Sequence, residues 1–206
     1  CRKRGVLFFV DAIQQLGALP IDFEACQADF LAADAHKWLL APEGIAVFFC
    51  RADVRPKLQL LQQGWHMVDR SWDFDRTEWP VSDTAVRFEA GSPNTTGQAA
   101  LHASAGLLLE FGMERIGAAV LENTDRLMTE LVRIDGIRLN SHTAPARRSG
   151  IVNFRHETIA PGTLYQGLKE RGISCALREG GVRVSPHFYQ GETELAVFLE
   201  ALAHIV

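Results

Sequence analysis

The residue best suited to covalent chemistry in this sequence is Lys37, which stands between His36 and Trp38. An apolar run precedes it at residues 30–33, and a Pro-Glu-Gly turn and a second apolar run at 45–50 follow it. Lysines are rarely buried unless they are paired or chemically used, and an amine desolvated among apolar neighbours can form a Schiff base with a carbonyl group. A surface-loop lysine that follows a strand is the alternative, and the local sequence alone favours it.

A second candidate is Asp11, which ends the continuous apolar run 5–10. Such a run predicts a parallel strand buried on both faces, and ligands of open α/β sheets bind beyond the carboxyl ends of the strands. There a carboxylate can pair with the pyridinium nitrogen of pyridoxal phosphate, or it can cap the next helix. Gln14 and the later pair His36–Lys37 complete a combination that favours a cofactor site.

These residues belong to a longer series of motifs that runs in order from about residue 10 to the C-terminus. The motifs are VDAIQQLG at 10–17, DAHKW at 34–38, PEG at 42–44, RFEAGSPN at 87–94 and RVSPHFY at 183–189. Together they resemble the class V aminotransferase family. The resemblance implies the type I fold of pyridoxal phosphate enzymes. The family includes cysteine desulfurases, kynureninases, serine–glyoxylate aminotransferases and isopenicillin N epimerase-like proteins.

The resemblance assigns a cofactor role to each residue near the first two strands. Lys37 is expected to form a Schiff base with pyridoxal 5'-phosphate and then to move the substrate α-proton. Asp11 is expected to pair with the ring nitrogen, and Gln14 to hydrogen-bond the 3′-oxygen of the ring. His36 is expected to lie near the phosphate and the ring.

Two later motifs imply contacts with a partner subunit and with substrate. Ser92 is expected to reach the phosphate of the cofactor in the neighbouring subunit, so the resemblance implies a homodimer. Arg183 is expected to hold the carboxylate of an amino acid substrate, because a planar guanidinium binds two oxygens at once. Arg178 is a secondary candidate, or a solvated turn residue.

The chain departs from the family pattern at Asp34 and around Cys175. Many members have Ser or Thr where this chain has Asp34, and a carboxylate cannot donate to phosphate, so Asp34 must serve elsewhere or face away. Cysteine desulfurases carry a nucleophilic Cys on a long loop before the carboxylate-binding Arg. Here the connection 173–183 is short, and Cys175 lies in an apolar run typical of a buried structural thiol. We therefore expect transamination or epimerase-like chemistry at the α-carbon, with cysteine desulfurase or another lyase of the same fold as the alternative.

The bulk properties predict a cytoplasmic globular protein. The chain has 206 residues, of which 47% are hydrophobic, and a net charge of −4. The sequence has no strongly basic region of the kind that binds nucleic acid. It has no apolar run long enough for a membrane helix, and its four cysteines lack metal-ligand spacing. Family members are considerably longer, so we expect a fragment or the ordered part of something longer. An inactive structural or dimerisation module is the non-enzyme alternative.

The predicted fold is α/β, with part of a mixed, mostly parallel sheet and a small C-terminal α/β domain. Residues 1–111 are assigned to the C-terminal part of the large cofactor-binding domain, and 112–206 to the small domain. Two helices, 97–111 and 114–134, flank the boundary near Gly112. Residues 62–81 hold three of the four tryptophans, and their lack of a regular pattern predicts a long loop. The loop is expected to form a wall of the active site or a subunit contact. The alternative is a surface loop whose aromatic side chains pack on the core.

Overall fold

The structure, a computed structural model, describes every residue of the chain, 1–206. Its contacts divide the chain into two compact units. The first contains residues 1–16 and 21–107, and the second contains 17–20 and 108–206. The α/β class is confirmed, because each unit combines helices with its own β-sheet. None of the helices is both long and apolar enough to span a bilayer.

The first unit is built on a mixed three-stranded sheet in the order β1-β2-β3. Its strands are β1 (Phe9–Asp11), β2 (Phe30–Asp34) and β3 (Ala46–Cys50), with a short helix α1 (Phe23–Cys26) between the first two. β1 runs parallel to β2, whereas β3 runs antiparallel to it. β2 is the central strand, which explains why its apolar residues are the best buried of the sheet.

The prediction that residues 5–10 form a strand buried on both faces is wrong in extent and in burial. Only Phe9–Asp11 is a strand, and the side chains of Val6 and Leu7 are 55% and 56% exposed. The physical reason is that β1 has a hydrogen-bonded neighbour on one side only, so it is an edge strand of this sheet. Its parallel pairing with β2 nevertheless agrees with the predicted direction.

Residues 62–81 contain little regular structure, as predicted. One 3₁₀ turn covers Trp65–Met67, and an antiparallel bridge joins Val68 to Val81. The alternative in which the tryptophans pack on the core is contradicted, because three indoles are largely exposed: Trp65, Trp72 and Trp79. The predicted active-site wall or subunit contact stays a prediction.

The second unit is an antiparallel sheet in the order β4-β5-β7-β6 with helices packed on it. The strands are β4 (Ile137–Leu139), β5 (Val152–His156), β6 (Ala176–Arg178) and β7 (Gly181–Val184). The helices of this unit are α3 (Met113–Leu131), α4 (Pro161–Glu170) and α5 (Glu192–Ala203). The preceding helix, α2 (Thr95–Phe111), belongs to the first unit up to residue 107. Fully buried apolar side chains of this core, such as those of Phe154, Leu164 and Leu202, each stabilise the fold by about 1.5–3 kcal/mol.

The join between α2 and α3 depends on Gly112. Its φ of 87° is in the left-handed region that favours glycine. The helix predicted at 114–134 is observed as α3, and its buried face includes Ile116, Val120, Leu127 and Leu131 at helical spacing. The assignment of residues 1–111 and 112–206 to a large and a small domain of a longer enzyme stays a prediction.

Candidate cofactor site

The parallel pairing of β1 and β2 sets the position of the candidate site. Asp11 is the last residue of β1 and is in register with Ala32 of β2. Because the strands are parallel, their carboxyl ends meet at one edge of the sheet. The loop that carries Lys37 begins directly after Asp34, at the end of β2. Asp11 and Lys37 therefore belong to the same edge.

A side-chain hydrogen bond joins the segments that follow these two strands. The indole Nε1 of Trp38 donates to Oε1 of Gln14 at 3.2 Å. Trp38 is only 4% exposed, so its ring is fixed by packing. This bond uses the acceptor of the Gln14 amide and leaves its NH₂ group free to donate. Gln14 is therefore oriented by the residue next to Lys37.

Residues 35–45, the Lys37 loop, form a compact connection from β2 to β3. The amide of Ala35 donates to the carbonyl of Ile45, and the amide of Ala41 donates to the carbonyl of Ala35, both at 3.0 Å. Lys37 is half-buried between the exposed His36 and the buried Trp38, and its amine has neither an ion pair nor a hydrogen bond. The structure thus holds an unpaired amine at the edge of the sheet, as the chemistry of a covalent lysine requires.

Asp11 does not cap a helix. Its Oδ1 accepts a hydrogen bond from the amide of Ile13 at 3.0 Å, which forms a local turn. The next helix, α1, has its own cap in Asp22, whose Oδ1 accepts from Ala25 N at 2.9 Å. The second carboxylate oxygen of Asp11 has no protein partner, and the residue is exposed. Asp11 is consequently available to a cationic ligand atom.

Asp34 and His36 both have exposed side chains at the same sheet edge. Asp34 ends β2 and is in register with Ala46 of β3. Neither side chain has a hydrogen bond or ion pair within the protein. The structure therefore leaves His36 free to approach a ligand. Asp34 has no hydroxyl, so it cannot donate to phosphate as the Ser or Thr of other family members is expected to do.

Ser92 is exposed and lies just before the first turn of α2. Two residues later, Asn94 connects this segment to the Lys37 loop, because its Nδ2 donates to the carbonyl of Gly44 at 2.9 Å. Its Oδ1 accepts from the amide of Gly97 at 2.9 Å, so Asn94 caps α2. Ser92 thus belongs to a segment tied to the lysine loop.

Arg183 lies in the second unit, on β7 between β5 and β6, in register with Asn153 and Ala176. Its Nε is buried and has no hydrogen-bond partner. A buried unsatisfied donor costs about 1–3 kcal/mol, and a guanidinium makes its strongest hydrogen bonds to carboxylate or phosphate. Arg183 is therefore the arginine of this sheet that an anionic ligand would stabilise. Arg178 is exposed, and its NH1 donates to the carbonyl of Leu177 at 3.1 Å.

Cys175 lies just before β6 and packs against the apolar core of the second unit. Burial raises the pKa of its thiol, an effect that the charge of Lys169 only partly offsets. A raised thiol pKa leaves less thiolate at neutral pH, and the thiolate is the nucleophile. Cys175 is therefore a poor nucleophile, as the sequence indicated.

Sequence reasoning missed two contributions to this site. Trp38 was noted only as a neighbour of Lys37, and its hydrogen bond to Gln14 was not foreseen. The bond from Asn94 to Gly44 was also missed, because no local pattern relates residues 50 positions apart. A buried tryptophan beside a reactive lysine is a signal that could have suggested a partner for the indole N–H, because a buried indole usually has one.

The donor set of the first unit fits pyridoxal phosphate. One sheet edge presents an unpaired amine from Lys37, a carboxylate oxygen from Asp11 and an oriented amide from Gln14. These groups match the aldehyde, the ring nitrogen and the ring oxygen of the cofactor in kind. No group of three or more His, Cys, Asp or Glu residues forms a metal-binding cluster.

The chain belongs to the class V aminotransferase family, whose model matches residues 1–195. This is a family of pyridoxal phosphate-dependent enzymes. A probable cysteine desulfurase of Methanothermobacter thermautotrophicus is 30% identical over 98% of this chain and 53% of its own length. An uncharacterized aminotransferase of Bacillus subtilis, YcbU, is 28% identical over 98% of this chain and 52% of its own length. The chain spans about half the length of the curated relatives it matches.

Solved structures share the fold at lower sequence identity. The apo structure of the cysteine desulfurase from Thermococcus onnurineus has a TM-score of 0.88 and 23% sequence identity to this chain. The match covers 99% of this chain and 54% of the desulfurase chain. A C-DES mutant with glycine covalently linked to its PLP cofactor matches 94% of this chain and 50% of its own, with a TM-score of 0.82 at 23% identity. The predicted fold type is therefore confirmed.

Proposed function

We propose that this chain supplies the lysine, ring-binding and carboxylate-binding residues of a pyridoxal phosphate-dependent enzyme that cleaves the C–S bond of a cysteine-type amino acid. The observation that supports cofactor binding is the position of Asp11, Gln14 and Lys37 at one sheet edge, with Gln14 oriented by Trp38. The names of several relatives, which are described as probable cysteine desulfurases, support the reaction.

Each residue of the sheet edge has a separate task in this proposal. When bound, pyridoxal phosphate supplies an electron sink for the substrate α-carbon. The Lys37 amine attaches the cofactor covalently and then accepts the α-proton of the substrate. Asp11 keeps the ring nitrogen protonated through its free carboxylate oxygen, and the Gln14 NH₂ group donates to the ring oxygen. His36 lies next to Lys37 and is proposed to contact the ring or the phosphate.

Arg183 is proposed to orient the substrate by its carboxylate. A guanidinium whose buried Nε lacks a partner gains a charge-assisted hydrogen bond when an anion arrives. Ser92 is proposed to contact cofactor phosphate across a homodimer. The proposed partners are therefore an amino acid and a second copy of the chain.

The proposed reaction differs from the transamination or epimerase-like chemistry that the sequence favoured. The relatives' names favour desulfurases, which was the alternative reading. The position of Cys175 still argues against that thiol as the sulfur acceptor, because burial raises its pKa. We infer that sulfur passes to an external thiol, which yields alanine and a persulfide, or is eliminated, in which case water is consumed and pyruvate, ammonia and sulfide form.

Transamination is the second candidate. It is supported by the relative described as an uncharacterized aminotransferase and by the lack of a reactive thiol next to Arg183. In that reaction an amino group moves to a 2-oxo acid and the C–S bond stays intact. The two candidates therefore give different products from the same substrate.

The discriminating experiment incubates the protein with pyridoxal phosphate and L-cysteine, with and without dithiothreitol and a 2-oxo acid. The proposal predicts sulfide release together with alanine or pyruvate, independent of the 2-oxo acid. Amino transfer that requires the 2-oxo acid, without sulfide, would establish transamination instead. Protein that binds neither cofactor nor substrate, while the intact longer relatives do, would identify the chain as an inactive structural module.

A further inference from the structure

We propose that Asn94 is a positioning residue that fixes the Lys37 loop to the N-terminus of α2. The importance of this link for catalysis rests on the proposed function, but the link itself is a property of the fold. Asn94 lies two residues after Ser92 and 50 residues after Gly44.

The Asn94 side chain uses both halves of its amide. Nδ2 donates to the carbonyl oxygen of Gly44 at 2.9 Å, and Oδ1 accepts from the amide of Gly97 at 2.9 Å. The backbone carbonyl of Asn94 also accepts from the amide of Gln98 at 2.9 Å. One residue therefore caps α2 and anchors a loop from a distant part of the sequence.

Glycines on both sides of this contact make it possible. Gly44 has a φ of 87°, a conformation that other residues rarely adopt. At Gly97 any Cβ atom would collide with the Asn94 amide. The requirement for one donor and one acceptor on a short side chain is met by Asn, whereas Asp lacks the donor and Ala lacks both groups.

The consequence is that the Lys37 loop is held from outside at two points. Trp38 is bonded to Gln14, near the start of the loop, and Gly44 is bonded to Asn94, near its end. Lys37 immediately precedes the first of these anchored residues, Trp38. Because Asn94 follows Ser92 so closely, the same side chain keeps the proposed phosphate-contact segment next to the amine-bearing loop.

The test compares Asn94→Asp with Asn94→Ala by hydrogen exchange at individual amides, without cofactor. Asn94→Asp removes the donor to Gly44 and keeps the helix cap, whereas Asn94→Ala removes both. In Asn94→Asp we expect exchange at Ala35 and Ala41 to accelerate by about threefold to tenfold, the effect of losing one net hydrogen bond. Exchange at Gly97 and Gln98 is expected to stay within about twofold of wild type in Asn94→Asp and to accelerate in Asn94→Ala.

A second readout measures positioning directly. With limiting pyridoxal phosphate and borohydride, we expect the fraction of Lys37 that carries reduced cofactor to fall about threefold or more in Asn94→Asp. Unchanged exchange at Ala35 and Ala41 in Asn94→Asp, or equal acceleration at Gly97, would overturn the inference. If Asn94→Ala does not fold, Asn94→Asp alone decides. Lack of labelling in wild type would refute the proposed function and leave the exchange result to decide the role of Asn94.

Discussion

The indole N–H of Trp38 donates a hydrogen bond to the side-chain oxygen of Gln14 at 3.2 Å, which joins the segments after β1 and β2. Lys37 is the residue immediately before Trp38, so this bond relates the lysine loop to the strand that ends in Asp11. The indole is buried, whereas the Lys37 amine beside it is unpaired. The bond therefore orients a ring-binding amide and anchors the reactive loop at once.

Replacing Trp38 with Phe removes this donor and keeps a smaller aromatic ring at a buried position. We expect the free energy of unfolding to fall by about 2–4 kcal/mol, because one net hydrogen bond is lost and the smaller ring leaves a cavity. We also expect weaker binding of pyridoxal phosphate, since Gln14 is no longer oriented. Urea unfolding and a cofactor titration measure the two effects. Trp72→Phe is the matched control, because Trp72 is 72% exposed. Identical behaviour of the two variants in both assays would contradict the role of Trp38.

Replacing Arg183 with Lys keeps the positive charge and removes the planar pair of donors. We expect the KM for the amino acid to rise about tenfold or more, as for a lost hydrogen bond to a charged group, while kcat changes much less. Steady-state kinetics separates the two constants, and cofactor affinity should stay unchanged. The control is Arg178→Lys, on the neighbouring strand β6, where the side chain is exposed. A KM equal to wild type in Arg183→Lys would rule out carboxylate binding by this residue.

The four free thiols should differ in reactivity. Burial raises the pKa of Cys50 and of Cys175, so each holds less thiolate than it would in water, whereas Cys1 and Cys26 are exposed to the reagent. We expect iodoacetamide to alkylate the two exposed cysteines first, and the rates of the two protected thiols to rise as the pH increases. Peptide mass spectrometry after timed quenching measures each rate.

Cys175→Ser tests the proposed route of the sulfur atom. Because Cys175 packs against the core and is a weak nucleophile, we expect sulfide release from L-cysteine to stay within about threefold of wild type, apart from a small packing cost. Loss of sulfide release with cofactor binding intact would identify Cys175 as the sulfur acceptor after all. Cys26→Ser is the control for an exposed thiol.

Local sequence patterns predicted the helices and the ends of the strands, because these features depend on residues that are close in the sequence. The periodic apolar face of α3 and the Pro-Glu-Gly turn before β3 are examples. The family resemblance added the grouping of Asp11 with Lys37. Burial of the run 5–10 was predicted wrongly, because exposure depends on which elements cover a strand. The bond between Asn94 and Gly44 depends on tertiary geometry, which no local pattern encodes.

The most direct test of the account is to locate the cofactor on the chain. The protein is incubated with pyridoxal phosphate, reduced with borohydride and digested, and its peptides are weighed by mass spectrometry. The account predicts reduced cofactor on the peptide that contains Lys37, its loss in Lys37→Ala and its retention in Lys57→Ala, whose lysine lies in an exposed 3₁₀ turn. Cofactor on another lysine, or equal labelling of Lys37→Ala and wild type, would contradict the central claim.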